Sequence, residues 1–405
     1  MFIGLLLAVA CGLALGIATG LVPGIHPNTV FALVLAAPPI FTIFSPYAAM
    51  AFIVSLAISN TFFDFIPSIL FGAPEEDAIL SVLPGHKMLL EGRGYEAVFL
   101  TVMGGLGVVL LTIATLPLLF MMVPAIHWLL RPVIHLILIA AVSWMVLTER
   151  RRLTALAVFL LAGLFGFMSL NSFPSDFALF PALTGLFGIS TILTSLMSKA
   201  TIPEQKIESN IKGNWLKGSL TGWLAGLLSG FLPGLGSSQT GILASQVLKT
   251  KTQEFMIALG GINTSNIFFT FIVFYSIGKT RSGAVWAISR VMETLSVTDT
   301  LLIVVIGVLV TLISAVLTLK ISKFMVMKLK HVNYMKLSLT VLFLLIFLVI
   351  LLGGIYGIVI AVAGTFLGLL ATRVGVKRTH LMGFLVLPTI LYFSGLDPFL
   401  IAALW

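Results

Sequence analysis

Two interruptions in an otherwise apolar chain contain the residue types best suited to contact a ligand. TGLVPGIHPNTV spans residues 19–30, and GFLPGLGSS spans residues 230–238. Proline removes an amide donor and glycine reaches dihedral angles closed to other residues, so each Pro-Gly pair should break its helix. An asparagine or serine beyond the break can cap a short second helix, whose N-terminus attracts an anion. We therefore predict an anion-binding hairpin at each place; the alternative is a proline kink in an ordinary spanning helix whose glycines serve only close packing. The hairpin residues are Pro23, Gly24, His26 and Asn28 in the first, and Pro233, Gly234, Gly236, Ser237 and Ser238 in the second.

Polar side chains within two Phe-rich apolar stretches, at 58–72 and 264–278, form a second group of candidates. Asp64 interrupts ISNTFFDFIPSILFG (58–72), and an ionised carboxylate inside a membrane is expensive and usually functional. It would bind a coupling cation or transfer a proton; the alternative is a carboxylate that stabilises packing near a helix end. Asn60 and Asn266 would offer their amide groups to substrate or sodium, or would instead hydrogen-bond neighbouring helices.

Charged residues that follow the two Phe-rich stretches are the third group. Lys279 and Arg281 are suited to hold an anion, because a guanidinium pairs with a carboxylate or phosphate through two hydrogen bonds. The alternative is a surface loop whose ions are simply solvated. The corresponding positions after the first Phe-rich stretch are acidic, and these residues are candidates for a coupling-ion site: Glu75, Glu76 and Asp77.

The elements that must hold these groups are membrane helices. The chain has 405 residues, of which 59% are hydrophobic and 9% are charged, with a mean hydropathy of +1.16. Since a spanning helix needs roughly 20 apolar residues, the sequence predicts an all-α polytopic protein with about ten spanning helices plus the two re-entrant hairpins. The net charge of +9 would suggest nucleic acid in a soluble protein. Here the cations cluster in short loops, which indicates orientation in the cytoplasmic membrane and lipids rather than nucleic acid as surroundings.

The two interruptions belong to an internal duplication. The glycines and proline of residues 12–24 recur 210 positions later, and the stretch at 58–72 recurs as TSNIFFTFIVFYSIG, 206 positions later. Two matches in the same order favour duplication over chance. The predicted units are a first repeat at 1–198, a cytoplasmic linker at 199–214 and a second repeat at 215–405.

Basic clusters orient the two copies. Those at 150–152, 199–212, 320–330 and 373–378 should all lie on the cytoplasmic side. The apolar runs near 95–123, 124–148, 152–170 and 174–198 then cross in the opposite direction to their counterparts at 299–320, 333–352, 354–371 and 380–394. Inverted-topology repeats are typical of secondary transporters with alternating access. The chain has no H-E-x-x-H pair and no recognisable serine nucleophile motif, so an intramembrane hydrolase is the weakest hypothesis. We expect no enzyme activity, no catalytic or metal site and no cofactor beyond Na+ or H+ as coupling ion.

Several motifs resemble those of the large membrane subunit of tripartite tricarboxylate transporters, the TctA family. They are LPGLG (232–236), its counterpart VPGIH (22–26), the loop GAPEEDAILSVLPGHKMLLEGRGYEA (72–97) and TGLFGIS (184–190). The resemblance implies inverted repeats, re-entrant hairpins and import of small carboxylates together with a periplasmic binding protein and a small membrane subunit.

The chain departs from that family at two places. Phe62, Phe63 and Asp64 replace its Gly-Gly-Ser run, and GKTRSG (278–283) replaces its second-half Pro-Gly-Ser turn. These departures leave the carboxylate substrate and the partner proteins open, so a divergent stand-alone member, alone or as a homodimer, is expected. A more distant likeness to polyprenyl-phosphate transporters makes a lipid-phosphate translocase the alternative to a secondary transporter of a small organic anion.

Overall fold

The chain is all-helical over the part that the structure describes. The computed structural model describes residues 2–22, 45–72, 79–172, 175–197, 203–207, 209, 211, 213–231, 237, 240–241, 244, 252–280, 282–329 and 334–396. Within these ranges every regular element is a helix, which confirms the predicted all-α class.

The helices of the N-terminal half are numbered in chain order. They are α1 (Phe2–Leu21), α2 (Pro46–Phe63), α3 (Phe65–Leu70), α4 (Ile79–Leu90), α5 (Gly94–Leu130), a 3-10 turn (Arg131–Val133), α6 (Ile134–Leu147), α7 (Arg152–Ser172), α8 (Ser175–Leu183), a π-helical segment (Thr184–Ile189) and α9 (Ser190–Met197).

The C-terminal half follows the linker and is numbered onward. Its helices are α10 (Trp215–Phe231), α11 (Thr252–Ile277), α12 (Gly283–Val291), α13 (Val297–Leu329), α14 (Tyr334–Arg373), a 3-10 turn (Arg378–Met382) and α15 (Gly383–Ser394).

Seven helices in the described ranges are long and apolar enough to cross a membrane, so the chain is a multi-pass membrane protein. They differ in what surrounds them. The apolar windows that include α2 and α11 are 94% and 89% buried inside the protein, whereas those in α1 and α14 are only 28% buried. Apolar side chains on exposed faces are stable only against lipid. Helices α2 and α11 therefore form the centre of the molecule, and α1 and α14 lie at its edge.

Two pairs of neighbouring helices pack closely through glycines, and each pair runs parallel. In the first, Gly16 of α1 lies against Ser59 of α2, and a Cβ on Gly20 would lie 2.7 Å from the Phe63 Cβ. Small residues at four-residue spacing let helix backbones approach this closely. Since the later glycine meets the later residue of α2, both helices run in the same direction.

The second pair repeats this arrangement with the same residue types. Gly226 of α10 lies against Ser265 of α11, and a Cβ on Gly230 would lie 2.5 Å from the Phe269 Cβ. The serine hydroxyls bond alike: Ser59 reaches the carbonyl of Leu13 at 3.4 Å, and Ser265 reaches that of Gly222 at 3.2 Å.

The described residues of the linker, 203–207, 209, 211, 213 and 214, lie beside the starts of several helices, and we call this end of the molecule the linker side. Gln205 accepts a hydrogen bond from the Gly94 amide at 2.9 Å, and the Asn214 amide donates to Glu254 at 3.1 Å. The starts of α5, α10 and α11 therefore meet there. A Cβ on Gly94 would also contact Leu70 at 3.4 Å, so α2 and α3 end where α11 begins.

Helix α14 consists of two antiparallel arms joined at Gly354, the one residue within it that has non-helical backbone angles (φ 55°, ψ −147°). A Cβ on Gly357 would lie 2.9 Å from the Val349 carbonyl oxygen. Eight residues along a straight helix are separated by about 12 Å, so the chain reverses at Gly354. The arms, 334–353 and 355–373, match the predicted runs at 333–352 and 354–371.

The predicted boundary between the runs 95–123 and 124–148 is wrong. Helix α5 continues through Pro117 and Pro124 and ends at Leu130, and α6 begins only at Ile134. Membrane helices accommodate an internal proline because neighbouring groups satisfy the freed carbonyl. The chain turns instead at Arg131–Val133.

Candidate functional site

The two most buried helices meet through a polar contact between the halves of the chain. The Asn263 amide of α11 donates to Oδ2 of Asp64 at 2.7 Å, and the hydroxyls of Thr61 and Thr264 lie 3.3 Å apart. Residue 61 pairs with 264 and residue 64 with 263, so α2 and α11 run antiparallel. Of the residues that the sequence singled out, Asp64 is thus placed where the halves touch.

Asp64 owes its position to a change of helix. It caps the C-terminus of α2 and precedes α3, with helical backbone angles (φ −63°, ψ −23°). Its side chain is 3% exposed, and large phenylalanines surround this part of α2. Ser68 donates its hydroxyl hydrogen to the Asp64 carbonyl oxygen at 2.9 Å and not to the carboxylate. The carboxylate is therefore directed at the other half of the molecule, through Asn263.

A buried carboxylate that accepts a hydrogen bond from an amide is a possible oxygen ligand for a cation, and it can also take up a proton. An isolated charge is costly in such a place, so the group must be paired, protonated or bound to a cation. No cluster of three or more metal-ligating residues occurs among the described residues.

The paired asparagines each hydrogen-bond a hydroxyl of the neighbouring glycine-rich segment. The amide of Asn60 donates to Thr19 at 3.1 Å, and that of Asn266 donates to Ser237 at 3.4 Å. Ser237 is 2% exposed. Both asparagines thus hold the segment that precedes or follows the predicted break. This geometry fits the interhelical role that was one of the two expectations for them.

Most of the predicted anion site lies outside the described residues, as do three of the coupling-ion candidates. The anion-site positions are Pro23, Gly24, His26, Asn28, Pro233, Gly234, Gly236, Ser238 and Arg281, and the coupling-ion candidates are Glu75, Glu76 and Asp77. Lys279 is described, and its side chain is exposed just beyond the end of α11. It lies apart from the Asp64 contact, since α11 begins on the linker side and Lys279 follows its other end.

Sequence reasoning missed Thr61, Asn263 and Thr264. A usable signal was present, because GGINTSN (260–266) places two asparagines three residues apart. Residues at that spacing share one face of a helix. Asn266 has a counterpart in the first repeat, Asn60, whereas Asn263 has none. A prediction based on matched positions therefore did not include Asn263.

A second polar region occupies the linker side, around Arg378. The guanidinium is buried, and its Nε donates to Thr372 at 3.0 Å while Nη2 donates to Thr194 at 3.0 Å. Nη1 donates to Thr191 and, at 3.4 Å, to the Ser190 hydroxyl. Burial lowers the pKa of Arg378 from its ordinary value. From the sequence, Arg378 was predicted only to be one of the basic residues that orient the chain in the membrane.

Beside Arg378, a charged contact joins two loops of the linker side. Nε2 of His380 lies 3.4 Å from Glu149, whose carboxylate is also 3.6 Å from Lys377. Arg151 donates to the Val374 carbonyl at 2.8 Å. The pKa of His380 is lowered, chiefly by burial. Two of the four basic clusters therefore lie together.

Comparisons with known proteins cover nearly the whole chain. A family model described as "Tripartite tricarboxylate transporter TctA family" matches residues 6–383. A protein of Methanocaldococcus jannaschii that is described as uncharacterized is 31% identical over 402 residues, which is 96% of this chain and 98% of that protein. No solved structure matches the chain.

Proposed function

Because this chain belongs to the tripartite tricarboxylate transporter TctA family, we propose that it moves a small carboxylate-like anion across the cytoplasmic membrane as a secondary active transporter. Members of this family carry carboxylates and work with a binding protein and a small subunit. A transport function follows from the family. The particular membrane, the coupling to an ion and the alternating-access mechanism are our proposal.

The antiparallel contact between α2 and α11 is the observation that supports alternating access best. We interpret residues 1–198 and 215–405 as inverted repeats, since each half begins with a parallel, glycine-packed pair of helices. The pair α1–α2 ends on the linker side, and the pair α10–α11 begins there. Two matched halves with opposite directions can exchange their conformations and so open a central site to one side and then the other.

Asp64 is the residue that we propose to couple transport to Na+ or H+. Its carboxylate lies at the boundary between the halves and is held by Asn263 at 2.7 Å. A cation or proton at Asp64 would remove the charge and weaken that hydrogen bond, because hydrogen bonds to charged groups are the stronger ones. Binding of the coupling ion would thereby change how firmly α2 holds α11.

Reconstitution into proteoliposomes tests this function. We expect accumulation of radiolabelled citrate or succinate that requires an inward Na+ gradient or an acidic exterior. Asp64→Asn keeps the shape of the side chain and removes the charge, so gradient-driven accumulation should fall by at least about tenfold. Exchange of labelled for unlabelled substrate, which needs no net ion movement, should persist.

Asp299→Asn is the matched control. Asp299 is also buried in a helix, but its carboxylate caps α13 through the Ser296 amide at 2.9 Å and hydroxyl at 2.7 Å. Its loss should leave coupling intact. Unchanged accumulation by Asp64→Asn would reject the coupling role. Absence of carboxylate uptake in the wild type, together with transbilayer movement of a polyprenyl phosphate, would replace the proposed function with the lipid-phosphate alternative.

A further inference from the structure

An open apolar groove lies between the two arms of α14. It has an accessible volume of about 320 Å³. Both arms, the π-helical segment and α9 contribute its lining residues, which are Ile189, Leu193, Ile346, Val349, Ile358, Ala361, Val362, Thr365, Phe366 and Leu369. Thr365 is the one polar residue in this lining, and its hydroxyl already donates to the Ala361 carbonyl oxygen at 2.7 Å. The groove therefore suits hydrocarbon and not a soluble anion.

The groove opens towards the bilayer. Two of its lining residues, Phe366 and Val362, are 70% and 49% exposed. They belong to the second arm, 355–373, whose length of about 28 Å is close to the thickness of the hydrocarbon layer. Exposed Tyr356 and Arg373 stand at the two ends of this arm, and tyrosine and arginine are typical of the two membrane interfaces. The groove between them thus faces the acyl chains of lipids.

The width of the groove decides between a lipid chain and a helix as its occupant. Along the second arm the groove extends from Ile358 to Leu369, which is about 17 Å. Spread over that length, 320 Å³ corresponds to a cross-section of about 20 Å². An α-helix about 10 Å across has a cross-section of about 80 Å². A helix from a second copy of the chain is therefore too thick to enter, whereas a single acyl chain fits.

A cation lies at the linker-side end of the groove. Arg373 follows Leu369 by one helical turn and so shares the helix face that includes Leu369 and Phe366. Its side chain is exposed, and it has no hydrogen bond or ion pair within the described part of the chain. Exposed Lys336 is at a similar depth, because the two arms have nearly equal lengths on either side of Gly354. A guanidinium at this position can pair with a phosphate through two hydrogen bonds.

We infer that the groove holds one acyl chain of an anionic phospholipid whose phosphate pairs with Arg373. The apolar lining and the width select a hydrocarbon chain, and the cation at the linker-side end selects a negative headgroup. Anionic lipids are abundant in the cytoplasmic leaflet, where the basic clusters are predicted to lie. The inference goes beyond the proposed function, since this lipid would be a resident component and not the substrate. Its chain would fill the space between the arms and brace them against Ile189 and Leu193.

Native mass spectrometry, which counts bound lipids, tests the site. The purified full-length protein is depleted of lipid in detergent and titrated with phosphatidylglycerol or phosphatidylcholine that have the same acyl chains. We expect the first phosphatidylglycerol to bind at least about fivefold more tightly than the first phosphatidylcholine, which is the effect of one basic residue on an anionic lipid. Equal affinities for the two lipids would overturn the inference.

Two variants with matched controls locate the bound lipid. Val362→Trp fills the groove and should weaken binding of the first phospholipid by at least about tenfold, the effect of losing roughly two buried methylene groups. Val359→Trp places the same side chain at an exposed position outside the lining and should bind lipid as the wild type does. Arg373→Gln should abolish the preference for phosphatidylglycerol, whereas Arg152→Gln, which changes an exposed arginine at the start of α7, should retain it.

The same measurements give the results that would overturn the inference. Equal binding by Val362→Trp and Val359→Trp would refute the groove, and an undiminished preference in Arg373→Gln would refute the headgroup contact. If Val362→Trp does not fold, Ile346→Trp takes its place, since it fills the groove from the other arm. A dimer that the groove-filling variant converts to monomers would assign the groove to a second copy instead. None of these results depends on carboxylate uptake, so the inference and the proposed function can fail separately.

Discussion

Replacing Gly226 with alanine tests the packing of α10 on α11. A Cβ at this position would overlap Oγ of Ser265 and lie 2.8 Å from its Cβ. Carbon atoms attract one another best at about 3.5–4.0 Å and repel strongly at shorter distances, so the two helices must move apart. Overpacking of this kind costs about 1–3 kcal/mol. The higher helix propensity of alanine offsets at most about 1 kcal/mol.

We therefore expect Gly226→Ala to lower the melting temperature by a few degrees, measured by tryptophan fluorescence of the purified protein. Gly4→Ala is the control, because a Cβ on Gly4 has no atom within 4 Å among the described residues. It should leave the melting temperature unchanged or raise it slightly. Gly16→Ala should behave like Gly226→Ala, since Ser59 occupies the same place in the first pair.

A double-mutant cycle identifies the clash as the cause. Ser265→Gly alone removes the hydrogen bond to Gly222 and should destabilise the protein. Combined with Gly226→Ala, it makes room for the new methyl group, so the two losses should be less than additive. Additive losses, or a Gly226→Ala protein as stable as Gly4→Ala, would refute the close contact.

Three further changes test other parts of the structure. Asn263→Leu deprives Asp64 of a donor at 2.7 Å and should cost about 1.5–3 kcal/mol, seen as a lower melting temperature; an unchanged value would mean that the contact contributes nothing. Gly354→Ala forces a side chain into backbone angles reserved for glycine and should cost about 1–3 kcal/mol, whereas stability like that of Gly4→Ala would exclude a sharp reversal there. The pKa of His380 is held below 6.5 by burial, against the opposing effect of Glu149 and in agreement with that of Lys377. The unfolded chain then binds the proton more readily, so His380 contributes stability that is fully present above about pH 6.5 and is lost as the pH falls below it; melting temperatures from pH 7.5 to 5 should fall less steeply in His380→Gln, and identical slopes would contradict this.

The class of fold could be predicted because hydropathy and chain reversal leave direct marks on a sequence. Hydrophobic runs predicted the long helices and a boundary between residues 352 and 354, where the chain reverses within α14. The boundary predicted between residues 123 and 124 was wrong, since α5 continues there with Pro117 and Pro124 in its interior. A sequence does not state whether neighbouring helices will satisfy the carbonyl that a proline leaves free.

The candidate site was predictable where an unusual residue stands in an apolar setting. Asp64 was found on that ground, but its partner Asn263 was not, because a contact between residues 199 positions apart depends on how two helices cross. The surroundings of Arg378 could not be predicted from the sequence either. Among many basic residues that orient loops, its burial and its neutral partners appear only once the π-helical segment and the turn at Arg378–Met382 are placed side by side.

The reversal at Gly354 restricts where the protein can be extended. With one residue between the arms, adding a single amino acid would rotate the second arm by about 100° and turn its bilayer-facing side chains inward. Epitopes, fluorescent proteins or cross-linking cysteines for tracking the transporter are therefore better inserted outside α14.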